Sequence, residues 1–151
     1  MIFAAFILAF SFTACSQTKV PEAVKTAFNK KFPTAKKVDW GTEGKTEWEA
    51  EFELNEKDMS ANFDLQGNWK ETETDLEEDA VPVMIMNVLK AKFPGYKVKE
   101  AAFTETPKFS AYEIIIKKGE SKQEVTIDKT GKILSTEKGS EDTEKGSEDN
   151  D

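Results

Sequence analysis

Few side chains in this sequence are equipped for covalent or acid–base chemistry. The chain has no histidine and one cysteine, Cys15, and all 21 of its basic residues are lysine. Without histidine, the commonest general base near neutral pH is missing. Without histidine or a second cysteine, a typical zinc site has no ligand set. Without arginine, bidentate clamping of phosphate or guanine is unavailable. The 29 acids outnumber the lysines to give a formal net charge of −8, which repels nucleic acid. Catalysis would have to rest on carboxylates and lysines alone, so the sequence reads as non-enzymatic, with no catalytic residue, no cofactor and no metal.

Cys15 closes an uncharged run from Ile2 to Ala14. A membrane-spanning helix needs about 20 apolar residues. This run is too short to span and fits the apolar region of an export signal, with small residues at the cut. Phe12-Thr13-Ala14-Cys15 resembles a bacterial lipobox, with Phe12 in place of the usual leucine. The resemblance implies cleavage before Cys15, a diacylglycerol thioether on its sulfur and a third acyl chain on its amine. Two such chains already anchor a protein to a bilayer. The expectation is an exported, membrane-anchored lipoprotein on the outer membrane facing the periplasm, with residues 1–14 as signal peptide and 15–19 as tether.

Among the acids, Glu47, Glu49, Glu51 and Glu53 alternate with Trp48, Ala50, Phe52 and Leu54. Strict alternation marks a strand with one face in a core and the other in water, so the four carboxylates share one face at about 7 Å spacing. With Trp40 and Trp69, near the ends of other strands, they form a candidate partner-binding face. The acids would suit a cation or a basic partner, and the aromatic rings a protein or peptide. The plainer alternative is a solvated strand face balanced by lysines on its neighbours, such as Lys37 and Lys70, with the tryptophans filling the core. A calcium cage wants about six to eight oxygens converging from a loop, which a straight strand does not supply. Asp64 and Asp128 each stand three residues before a glycine, Gly67 and Gly131. That is the spacing of a tight hairpin turn, in which the aspartate caps and the glycine accepts positive φ. These four residues are read as turn-structural rather than catalytic.

The elements that carry these residues follow a recurring pattern. Segment 20–33 aligns with 81–94, placing Val24, Ala27, Phe28 and Phe32 opposite Ile85, Val88, Leu89 and Phe93. Three- and four-residue apolar spacing predicts an amphipathic helix in each. Pro21 and Pro82 fall in the first turn, where proline is tolerated, and Pro33 and Pro94 end each helix. Downstream, Trp48, Phe63, Asp64 and Gly67 recur as Tyr112, Ile127, Asp128 and Gly131. The fold class expected is α+β: two tandem repeats, 20–75 and 76–137, each one helix followed by a four-stranded antiparallel meander, with the helices packed on one face of the sheet. Units this small are marginal alone, which favours a shared core. The tail, 138–151, repeats Lys-Gly-Ser-Glu-Asp at 138–142 and 145–149, and a stretch so polar is expected to be a disordered acidic extension.

The helix endings Lys-Lys-Phe-Pro33 and Ala-Lys-Phe-Pro94, the strands bearing Trp48 and Tyr112, and the closing runs 63–69 and 127–133 together resemble the PepSY-like family. That family is also described as resembling beta-lactamase inhibitory proteins, and it is common among secreted proteins and lipoproteins of Bacteroidetes-type bacteria. The resemblance implies a fold of tandem helix-plus-four-strand units. A shared fold does not carry a function with it, and no inhibitory contact transfers to a residue of this chain. The expected function is a non-enzymatic envelope module that binds a protein or peptide through a sheet face or an edge strand. The alternatives are an inhibitor or regulator of an envelope protease or other hydrolase, and a structural or stress-related envelope protein.

Overall fold

A computed structural model describes residues 19–138. The signal-peptide segment, Cys15, most of the tether and all but the first residue of the acidic tail therefore lie outside the described residues. In chain order the elements are α1 (Glu22–Lys31), β1 (Lys36–Glu43), β2 (Glu47–Leu54), β3 (Lys57–Asp64), β4 (Trp69–Asp75), a short 3-10 turn (Glu78–Ala80), α2 (Val83–Lys92), β5 (Lys97–Glu105), β6 (Ser110–Lys118), β7 (Ser121–Asp128) and β8 (Ile133–Lys138). Pro21 and Pro82 immediately precede the two helices, and their carbonyls accept the first helical hydrogen bonds, from Lys25 N at 3.2 Å and Met86 N at 3.1 Å. A proline at this place sacrifices no helical hydrogen bond, because its missing N–H would have had no partner. At the other end, Phe32 N and Phe93 N each bond back to the carbonyl four residues earlier at 2.8 Å, and Pro33 and Pro94 prevent continuation.

The expectation of two tandem units, each a helix with its own four-stranded meander, is overturned. β4 pairs with β5, Thr72–Asp75 running antiparallel to 102–105, and the strands form one eight-stranded antiparallel sheet in the order β1 to β8. Sheet dominates the described chain, with two ten-residue α-helices, so the α+β class holds only in part. The physical reason lies at the middle of the sheet. Separate meanders would leave the N–H and C=O groups of β4 and β5 as two unpaired edges, and such edges are avoided where a partner strand is in reach.

One face of the sheet carries the apolar core. Under α1, Phe28 meets Trp40 at 5.2 Å, Phe52 at 5.0 Å and Phe63 at 6.3 Å between ring centroids, all edge-on. Such geometry sets the positive ring edge against the negative ring face. Under α2 the packing is aliphatic: Ile85 and Leu89 sit with Ile114, Ile116, Val125 and Ile127. Because side chains alternate across a strand, the core residues of each strand commit their immediate neighbours to the opposite face, and that face has no helix over it.

Candidate functional site

The register across the sheet defines this second face. Trp48 pairs with Phe63, Ala50 with Ala61 and Phe52 with Met59, all toward the helices, so Glu47, Glu49, Glu51 and Glu53 point the other way, opposite Asp64, Asn62, Ser60 and Asp58. Asn62 is in turn opposite Glu71, and Ser60 opposite Glu73. Glu73 lies opposite Thr104, and Glu113 lies between Ala102 and Thr126. Glu124 completes the series between Ile115 and Glu137. The result is a diagonal ladder of carboxylates: Glu43 on β1, Glu49 on β2, Glu71 and Glu73 on β4, Glu113 on β6 and Glu124 on β7. Three lysines of this face, Lys97, Lys117 and Lys122, stand side by side on one cross-strand row toward one end.

These carboxylates are not freely solvated, although no helix covers them. Glu124 is 7% exposed and Asn62 6%, Thr104 is fully buried, and even Ile115, which breaks the apolar alternation of β6, is buried on this face. Burial disfavours a charged carboxylate, and a like charge nearby adds to the effect. Burial first, then the Glu49 charge, pushes Glu43 up to about 7. Burial followed by the charges of Glu71 and Glu124 pushes Glu113 up to about 7. Glu73 is pushed up to about 9, by burial and then by Glu113 and Glu71. Glu49, Glu71 and Glu124 are raised as well, burial again the leading cause.

The ladder also holds polar atoms without partners. Asn62 donates through Nδ2 to Glu43 Oε2 at 3.1 Å, but its Oδ1 and Glu124 Oε2 are buried and accept no hydrogen bond. The fully buried Thr104 hydroxyl lies near enough to Glu113 to draw its carboxyl slightly down without reaching hydrogen-bond geometry. A buried acceptor left unpaired costs about 1–3 kcal/mol. Among the described residues no group of three or more His, Cys, Asp or Glu is arranged to hold a metal ion.

The residues singled out from the sequence separate into three places. The row Glu47 to Glu53 lies on the helix-free face, with Glu53 ion-paired to Lys37 at 2.6 Å. Trp40 and Trp69 lie on the opposite, helix-covered side, as their cross-strand partners Ala50 and Phe63 require. Both pack partly buried against the α1 core. Trp69 carries the Lys31 ammonium 3.7 Å over its ring, and its Nε1 donates to Thr72 Oγ1 at 2.8 Å. Asp64 and Asp128 sit in the turns before β4 and β8. Asp64 Oδ1 accepts from Gln66 N at 3.1 Å and Asn68 N at 2.9 Å, and Asp128 Oδ1 accepts from Thr130 N at 2.8 Å and Lys132 N at 3.0 Å. Lys70, 2.9 Å from Asp64 Oδ2, is the chief reason the Asp64 carboxyl is held well below the usual range, with Asn68 second. Gly67 and Gly131 follow with φ of +82° and +86°.

Sequence reasoning missed Glu43, Asn62, Glu71, Glu73, Glu113 and Glu124. The run Glu71-Thr-Glu73-Thr-Asp75 alternates as clearly as Glu47 to Leu54 does, but its polar partners gave no apolar phase to orient it. Only strand register shows that these acids share a surface.

An antiparallel sheet with helices on one face and an open face of carboxylates places the protein in a class known by its fold rather than by a reaction. The chain belongs to the family described as "Putative beta-lactamase-inhibitor-like, PepSY-like", which matches residues 10–57 and 46–135. That description is inhibitor-like and not catalytic. No curated protein matches the chain. Among solved structures, a DUF2874 family protein from Bacteroides uniformis is 26% identical, with 80% of this chain and 90% of that one covered at a TM-score of 0.74. A protein from Bacteroides eggerthii, described as one of the "putative periplasmic proteins", is 24% identical over 80% of this chain and 89% of that one, at a TM-score of 0.73. A BLIP-like protein from Bacteroides fragilis is 20% identical over 83% of this chain and 92% of that one, at a TM-score of 0.74. The last two likenesses establish the fold alone.

Proposed function

We propose that this protein is a non-enzymatic lipoprotein of the bacterial envelope, and that the helix-free face of its sheet binds a protein or peptide partner. The observation that carries the reading is the state of that face: carboxylates held half-buried beside one another, several raised in pKa, with buried acceptors unsatisfied. A surface kept for solubility alone would leave its acids in water, where they cost nothing. The lipobox-like tetrapeptide ending at Cys15 supports the anchor and the envelope location, and the words "putative periplasmic proteins" used of the Bacteroides eggerthii relative agree with the location alone. No helix among the described residues is long and apolar enough to cross a membrane, so attachment would fall to the lipid.

Two measurements test the proposal. Mass spectrometry of the protein purified from its native membrane is expected to show an N-terminus at Cys15 carrying acyl chains. An intact leader without acyl mass would remove the anchor. Capture from the native envelope with the full-length protein is expected to recover a saturable partner that is lost when carboxylates of the sheet face are replaced. Recovery unchanged by those replacements would remove the assignment of the face. A second reading, inhibition of an envelope protease or other hydrolase, is favoured by the family's description. Titration of the protein against envelope peptidases and beta-lactamases distinguishes it, since unchanged rates across the panel would exclude it.

A further inference from the structure

Resting on the reading of the sheet face as a binding surface, we infer that its occupant is a lysine- or arginine-bearing extended polypeptide segment, laid diagonally across the strands along the carboxylate ladder. Glu43, Glu49, Glu71, Glu73, Glu113 and Glu124 form the ladder; of the three buried atoms along it that lack partners, Asn62 Oδ1 and Glu124 Oε2 are acceptors and the Thr104 hydroxyl can accept as well as donate. Asn62 has already spent a donor on Glu43. A ligand that satisfies this face must therefore bring N–H donors and positive charge together, which ammonium and guanidinium groups do.

Among the described residues, two cations of this face are already committed to acids outside the ladder. Lys37 is engaged by Glu53 and Lys70 by Asp64, and three lysines of the face stand in a row at its end. The Lys37–Glu53 and Lys70–Asp64 pairs leave Glu49, Glu71, Glu73 and Glu113 out. A metal ion needs convergent ligands, and no such cluster is present among the described residues. The ladder runs from β1 to β7, and each strand step is about 4.8 Å. An extended chain advances about 3.3 Å per residue, so roughly nine residues would cross the six strand steps at right angles and about twelve follow the diagonal of the ladder, longer than a small polyamine. Raised carboxylates add support, because a docked cation would draw them down and expel the protons they hold.

The test uses the full-length protein in non-ionic detergent at 0.15 M salt, titrated calorimetrically with acetyl-(Lys-Ala)6-amide, its glutamine counterpart and spermine. Saturable binding of the lysine peptide is expected, at least about tenfold tighter than that of the glutamine peptide or of spermine. The combined substitution E49Q, E73Q and E113Q should weaken the lysine peptide by about tenfold or more, while E22Q, E77Q and E78Q together, removing the same charge elsewhere, should change it by less than about twofold. Asn62→Leu, which changes no charge, should weaken it several-fold. The face variant should also melt at a higher temperature than the parent at pH 8, which shows that it folds and separates lost recognition from lost structure.

Equal losses in the two triple variants would reduce the effect to general charge attraction and overturn the proposal. So would spermine binding as tightly as the peptide, which would point to a small polyamine. Capture of a native partner that the lysine peptide fails to displace would overturn the cationic chemistry while leaving the binding-module reading in place.

Discussion

At the scale of single residues, the protein keeps some acids comfortable and others not. Asp64 and Asp128 are surrounded by donors and held low, whereas Glu73 is crowded by Glu71 and Glu113 and forced up to about 9. Carboxylates of the first kind contribute stability when ionised; those of the second kind oppose folding when ionised. At pH 8 the folded protein must hold on Glu73 a proton that the unfolded chain has released; Glu73→Gln removes that cost, keeps the side chain's length, and is expected to stabilise the protein at pH 8 on the order of 1 kcal/mol after allowance for solvent screening. Denaturant melts of the parent and variant at pH 8 measure it. A loss of stability would mean that the hydrogen bond Glu73 shares with Glu71 outweighs the cost of its burial and of the neighbouring charges.

At the scale of elements, each helix is fixed by a stripe of core residues and by a turn glycine set against it. Phe28 is the hub of the α1 core, with ring contacts to Phe32, Trp40, Phe52 and Phe63. Truncation to alanine leaves a cavity between helix and sheet, so Phe28→Ala is expected to cost about 3–5 kcal/mol in chemical denaturation. Gly67 in the β3–β4 turn approaches α1 so closely that an added Cβ would stand 2.6 Å from the Ala23 carbonyl oxygen, at a φ of +82° that L side chains rarely adopt. Gly67→Ala is therefore expected to destabilise by more than about 1 kcal/mol. At Gly41 on β1 an added Cβ would meet nothing within 4 Å, and Gly41→Ala measured beside it should fall within about 0.5 kcal/mol of the parent.

At the scale of the whole molecule, the acidic face sets the response to pH. Glu43 and Glu113 at about 7 and Glu73 at about 9 all lie above the ordinary value of 4.5. Between 4.5 and those values the folded protein holds protons that the unfolded chain has released, so stability falls as pH rises through that window. Asp64 and Asp128 act in the opposite sense: their pKa values are depressed, so their contribution is present above the ordinary aspartate range and lost as pH falls below it. The melting temperature is expected to peak at mildly acidic pH, near about 5, and to decline toward pH 8. Scanning calorimetry across pH 3–9 measures the profile, and E49Q, E73Q and E113Q combined should flatten its alkaline limb. A melting temperature that rises from pH 5 to pH 8 would contradict the electrostatics of this face.

The sequence by itself determined the apolar stripes that enter the core, the bounds of the two helices to within a residue or two, and which side-chain types the protein has to work with. Apolar spacing, bounding prolines and the inventory of side chains are local properties, and each is legible without knowing what lies alongside. It also suggested the Glu47–Glu53 row, because the apolar residues alternating with it in β2 declare which face is buried. What only the tertiary structure decided is what depends on strand register. The pairing of β4 with β5 joined the strands into a single sheet where tandem units were expected. The same register carried Trp40 and Trp69 to the face opposite the glutamate row, and brought Glu71, Glu73, Glu113 and Glu124 from distant strands onto one surface. Side chains alternate every residue along a strand, so a shift of one position would send each of them to the other side, and nothing in a strand of mostly polar residues records which position its neighbour will choose.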